Sequence, residues 1–135
     1  MPRLAALLIS LYLLAGCATP SSKSDQLNST LESYEATIRW GNFENATAFV
    51  DPDTLKDHPL TGIDLQRYQQ VRVTGYTAQP PHPAGNNEIS QMVEISLVNN
   101  NTQAARSVLD RQRWRYDEQR KRWLLVTGLP DITQH

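Results

Sequence analysis

Apolar positions recur with three different rhythms along this chain. Residues 4–14, LAALLISLYLL, form one uncharged, largely apolar run. From Asp25 the spacing becomes helical: Leu27, Leu31, Tyr34 and Ile38 recur at four, three and four residues and so share one stripe. Ser24 or Asp25 supplies an N-cap, and Gly41 follows Trp40 where a helix end takes a left-handed residue. A second, shorter helix fits NFENATAFV at 42–50, with Phe43, Ala46, Phe49 and Val50 inward and Asp51-Pro52-Asp53 as its stop. Residues 54–70, TLKDHPLTGIDLQRYQQ, keep no sustained period and read as loop, with one helical turn near Asp64 to Tyr68.

Beyond Tyr68 the period drops to two. Val71, Val73, Gly75 and Thr77 alternate with Arg72, Thr74 and Tyr76, and Ile89, Val93, Ile95 and Leu97 alternate with mostly polar neighbours. Between these strands QPPHPAGNN, 79–87, is a proline-rich connection. A long third strand, QAARSVLDRQRWRY at 103–116, meets a fourth, KRWLLVTG at 121–128, across the polar turn DEQRK. Two or three helices followed by four largely antiparallel strands define an α+β domain, with the stripe of the first helix covering one face of the sheet.

The segments YEATIRWGNFENATAFV at 34–50 and DRQRWRYDEQRKRWLLV at 110–126 carry a resemblance. Helix, helix, then a long curved sheet ending in a Trp-X-Tyr hairpin resembles small bacterial domains of the NTF2-like, or cystatin-like, superfamily. The resemblance implies a curved four-stranded sheet wrapped against the helices. In some members it also implies a cone-shaped pocket between the layers, with an Asp as general base.

The opening run has a different meaning. Arg3 and the amino terminus precede eleven apolar residues, which as a helix would extend roughly 16 Å, about half of a hydrocarbon core ~30 Å thick. That is the outline of a secretory signal rather than a span. Small residues Ala15 and Gly16 then lead to Cys17, the only cysteine of the chain. Leu14-Ala15-Gly16-Cys17 resembles the bacterial lipobox, which implies diacylglyceryl transfer to the Cys17 thiol, cleavage before it and acylation of the new amino terminus. Thiolate character suits a thiol to that bond, and several acyl chains anchor stably where a single one binds only reversibly. Ala18, not Asp, follows the cysteine, and by the same resemblance this implies outer-membrane sorting with the domain facing the periplasm. The plainer alternative is an ordinary signal peptide cut nearby.

Three segments follow: a signal peptide at 1–16, lipidated Cys17 with a polar tether at 17–26, and one α+β domain at 27–135. Removing 1–16 from 135 residues leaves 119, enough for one domain. With no second cysteine, packing alone must stabilise it. Thirteen basic residues, one of them Arg3, against fourteen acidic ones argue against general nucleic-acid binding. Their distribution is uneven: residues 17–66 hold three basic and eight acidic side chains, whereas 106–122 hold seven basic and three acidic. A solvated strand face with a hairpin tip accounts for the second stretch, and a face that attracts anions is the functional reading.

Recognisable chemistry is sparse. His58, His82 and His135 are scattered without partners at ligand spacing, so no metal site is expected; no cofactor is implied either. Gly62, Gly75 and Gly85 stand alone, no Gly-X-Ser-X-Gly occurs, and lipid would consume Cys17. The matches to Asn-X-Ser/Thr at Asn28, Asn45 and Asn100 carry no meaning in a bacterial envelope. Acid-base work by a carboxylate remains. Asp110 shares a strand face with Gln112 and Trp114, which would make these three a cleft if that face is concave. Arg106, Arg111 and Arg113 around it favour a cross-strand ion pair instead. Trp40, Trp114 and Trp123, with Tyr34, Tyr76 and Tyr116, could line a sugar or lipid cleft, but packing is the preferred reading.

The expectation is therefore a membrane-tethered, non-enzymatic envelope module that binds a protein partner or envelope component through its exposed sheet, with the strand from Arg106 to Arg122 meeting an acidic surface. The alternative is a small-ligand pocket protein or an enzyme with Asp110 as acid or base.

Overall fold

Ser22 opens the first element of the computed structural model, which describes residues 22–134. Its hydroxyl accepts from the Asp25 amide at 3.1 Å and caps α1, Lys23–Arg39. The helix thus begins ahead of the expected Ser24 or Asp25 cap and takes in residues read as tether. The signal run, the lipobox with Cys17, and the tether up to residue 21 lie outside the described residues. Leu27, Tyr34 and Ile38 are buried along the expected stripe, with Leu31 packed beside them. Gly41, at φ 70°, ends the helix in the left-handed conformation.

The segment from 42 to 70 holds more helix than its pattern predicts. α2, Phe43–Ala46, runs into a 3-10 turn at Thr47–Phe49. Asp51-Pro52-Asp53 then starts a helix as well as ending one: Asp51 caps α3, Pro52–Asp57, with Pro52 in its first turn. α4, Gly62–Gln69, opens on a capping box in which Thr61 and Asp64 satisfy each other's amides. Neither α3 nor α4 contains a fully buried residue. They show no apolar stripe because they cover the domain from outside, and their end signals are what fold them. Among the described residues, four α-helices therefore stand where two or three were expected.

Five strands follow: β1 Val71–Ala78, β2 His82–Gly85, β3 Glu88–Asn99, β4 Ala105–Asp117 and β5 Arg122–Leu125. All pair antiparallel, in the order β1-β3-β4-β5. The proline-rich connection supplies β2, which pairs with Glu88–Ser90 of β3, while β1 pairs with Val93–Asn99 of the same strand. β4 occupies the other edge of β3, so β2 continues the row of β1 and the sheet stays four strands across. The result is a curled antiparallel half-barrel with the helices packed on it, the α+β architecture of NTF2-like and cystatin-like folds.

A bulge between Val73 and Gly75 shifts the β1 register. Val71 and Val73 lie against the core, but the extra residue turns Tyr76 inward opposite Ile95, where unbroken alternation places it outward. At the bulge the two strands come close: a Cβ on Gly75 would lie 3.2 Å from Ser96 Oγ. The inner face supplies Val93, Ile95 and Leu97 from β3 and Val108, Trp114 and Tyr116 from β4 to the core. Tyr34 meets Trp114 edge to face at 5.2 Å and Phe49 at 5.5 Å, while Phe43 stacks on Tyr68 at 4.2 Å. Trp123 Nε1 donates to the Lys23 carbonyl at 2.9 Å, tying β5 to the start of α1.

Candidate functional site

Two-residue alternation along β4 places Asp110, Gln112 and Trp114 on the inner face, as expected, opposite Val93, Gln91 and Ile89. They form one hydrogen-bonded chain. Trp114 Nε1 donates to Gln112 Oε1 at 3.0 Å, and Gln112 Nε2 donates both to Asp110 Oδ2 and to Tyr76 Oη, each at 2.9 Å. Gln112 is thereby held by three neighbours, which fixes its amide orientation. Tyr76 was not foreseen here, because the bulge that delivers it leaves no mark on the period of β1. Gly75 is the one local signal that could have disclosed it.

The expected ion pair of Asp110 does not form. Arg111 and Arg113 project from the opposite face of β4, and Arg106 donates to the carbonyls of Ile132 and Gln134 at the sheet's end. With 8% exposure and no cation beside it, the Asp110 carboxyl is pushed up to about 6 by burial, against the opposing effect of the Gln112 hydrogen bond. Tyr34 shares this interior. Its hydroxyl is fully buried without a hydrogen-bond partner, and burial, then the negative charge of Asp110, raise its pKa well above the ordinary phenol value.

The space in which the resemblance implies a cone-shaped pocket is filled. Tyr34 and Trp114 are both 0% exposed and in contact, and Gln112, bonded to the Trp114 indole, is buried with them. Trp123, Tyr76 and Tyr116 are likewise buried, as packing predicts. Trp40 departs from that reading: it stands 88% exposed past the end of α1, because the stripe that carries Tyr34 and Ile38 inward ends at Ile38 and Trp40, two positions on, falls on the far side of the helix. It borders a shallow cleft of about 300 Å³ with Arg72 and Asn100.

His82 lies in β2 rather than in a loop, its Nε2 2.9 Å from Ser90 Oγ. His58 follows α3, and His135 lies outside the described residues. Among the described residues no three His, Cys, Asp or Glu side chains gather as a metal site would need. The basic stretch divides, among the described residues, between paired and unpaired cations: Arg115 pairs with Asp51 at 3.3 Å and Arg120 with Asp117 at 2.9 Å, while Arg111 and Arg113 border an outer-face cleft of about 540 Å³. A second cleft of about 540 Å³ lies between α3, α4 and the C-terminal segment, lined by His58, Asp64, Tyr68 and Asp131. Compared with known proteins, the chain matches no family model and no curated protein.

Proposed function

We propose that this chain is a bacterial lipoprotein, held through lipid on Cys17 in the outer membrane and facing the periplasm, whose domain is a non-enzymatic binding module of the cell envelope. The lipobox Leu14-Ala15-Gly16-Cys17 behind an apolar run carries the location. Ser22, the cap of α1, lies five residues after Cys17, a reach of ~17 Å when fully extended, so a lipidated domain works against the membrane surface. The filled interior supports binding over catalysis: Asp110 and Gln112 satisfy each other, and the sheet's outer face carries the uncommitted charge. Intact mass of the chain purified from bacterial membranes tests the anchor. An amino terminus at Cys17 bearing diacylglyceryl and an amide-linked acyl chain is the expected result; a bare sulfur or a cut elsewhere overturns it. Photocrosslinkers placed at Leu109 on the outer sheet face and at Glu32 on α1 test the binding surface, and only the first should capture an envelope partner.

One observation favours a second reading. A raised Asp110 beside the partnerless hydroxyl of Tyr34 is the kind of pair that an acid-base site or a small polar ligand would use. On that reading the Tyr34–Trp114 contact opens to admit the ligand. Asp110→Asn failing to complement a deletion, while folding normally, would support it, and full complementation removes it.

A further inference from the structure

Arg111 and Arg113 leave the outer face of β4 two residues apart, a spacing of roughly 7 Å along a strand. The register sets Arg111 opposite Met92 and Arg113 opposite Ser90. One pair further on at either end, the same face holds Glu94 opposite Leu109 and Glu88 opposite Arg115. A face arranged for its own stability sets a carboxylate across from each cation. Here the two carboxylates of the β3 row stand outside the arginine pair, one of them across from Arg115, which already has Asp51. Among the described residues neither Arg111 nor Arg113 takes part in an ion pair. Two like charges thus stand side by side with no carboxylate directly opposite either of them.

The cleft they border is lined also by His82, Ser90, Met92 and Thr127, and by no carboxylate. Hydroxyl donors complete it. Thr127 Oγ1 accepts from the Arg113 amide at 3.2 Å, which leaves its hydrogen free to donate outward, and Ser90 Oγ shares a hydrogen bond with His82. Met92, across from Arg111, adds an apolar side chain to the lining. The cleft is an open groove of about 540 Å³.

We infer that this cleft binds a phosphate monoester group. A guanidinium fork matches phosphate oxygens in pairs. Two forks with hydroxyl donors in the same lining suit a dianion, whereas a single carboxylate would neutralise only one of them. The inference rests on the reading of this sheet face as the binding surface, and does not depend on lipid at Cys17.

Titration of the isotope-labelled full chain with inorganic phosphate, in a maltoside detergent at constant ionic strength, tests it by amide chemical shifts. Saturable shifts at Ser90, Met92, Arg111, Arg113 and Thr127 are expected. The Arg111→Gln/Arg113→Gln double variant should weaken binding by at least about tenfold, as befits loss of charge-assisted hydrogen bonds. The charge-matched Arg72→Gln/Arg122→Gln variant should retain it. Absence of saturable shifts, or equal weakening in both variants, overturns the site, the latter because it marks unspecific attraction. Nanodiscs of phosphatidylcholine with and without phosphatidic acid then separate the sources of the phosphate. Cleft shifts induced by phosphatidic acid alone assign a lipid headgroup; shifts seen only with added phosphate assign a free ester. Crosslinking of an envelope protein to this face without any phosphate response would remove the inference and leave the binding-module reading standing.

Discussion

Asp110 is the residue whose ionisation the fold opposes most plainly. Burial pushes its carboxyl up to about 6 in the folded chain, from the ordinary 3.8, so between those values the native state holds the proton that the unfolded chain has released. Stability therefore falls as pH rises through that window, and the full penalty applies above it. A shift of that size corresponds to on the order of 3 kcal/mol. Asp110→Asn keeps an acceptor for Gln112 without the charge, and should be more stable than the parent at pH 7 by an amount that shrinks towards pH 4. Urea melts at the two pH values check this, and an unchanged difference would refute the assignment. Tyr34 gives a companion test. Its hydroxyl lacks a partner, so Tyr34→Phe should be neutral or stabilising by about 1 kcal/mol. A clear loss of stability would mean that the hydroxyl serves a group bound in the interior.

At the scale of elements, end signals matter more than periodicity in the region before the sheet. α4 buries no residue completely, so the Thr61–Asp64 capping box is a large share of what holds its first turn. Thr61→Ala should cost about 1 kcal/mol in thermal or urea unfolding, while Thr30→Ala, in the interior of α1 with its hydroxyl bonded to the Gln26 carbonyl, should cost less. In the sheet, the bulge after Val73 is the device that brings Tyr76 to Gln112. Gly75→Ala presses a methyl group towards the Ser96 side chain at 3.2 Å, and is expected to destabilise by about 1–2 kcal/mol. Its companion signature is a shift of the Gln112 side-chain amide resonances, because Tyr76 moves with the strand.

For the whole molecule, the proposed anchor and the outer sheet face belong to one arrangement. α1 starts six residues after Cys17, and a 17-residue helix is ~25 Å long. Replacing Cys17 by Ala should move the chain from the membrane to the soluble fraction without altering its melting temperature, since the core of the described residues is built from Leu27 to Ile132. Fractionation beside a palmitate-analogue label reads this directly, and continued membrane attachment of an unlabelled variant would contradict the proposed lipid.

Local rules of period and chemistry were enough for part of this molecule. The 3.6-residue stripe of α1 and the alternation of β4, including the shared face of Asp110, Gln112 and Trp114, are properties of neighbouring residues, so the chain alone determined them. Tertiary structure decided the rest. Tyr76 reaches the site through a bulge, α3 and α4 form on caps without a buried stripe, and Trp40 is left outside by the turn at Gly41. Asp110 lost its expected arginine because Arg111 and Arg113 face the other way, and those two became a candidate site only when register set Met92 and Ser90 across from them. Register joins residues about twenty positions apart along the chain, and no count of periods within a single strand contains it.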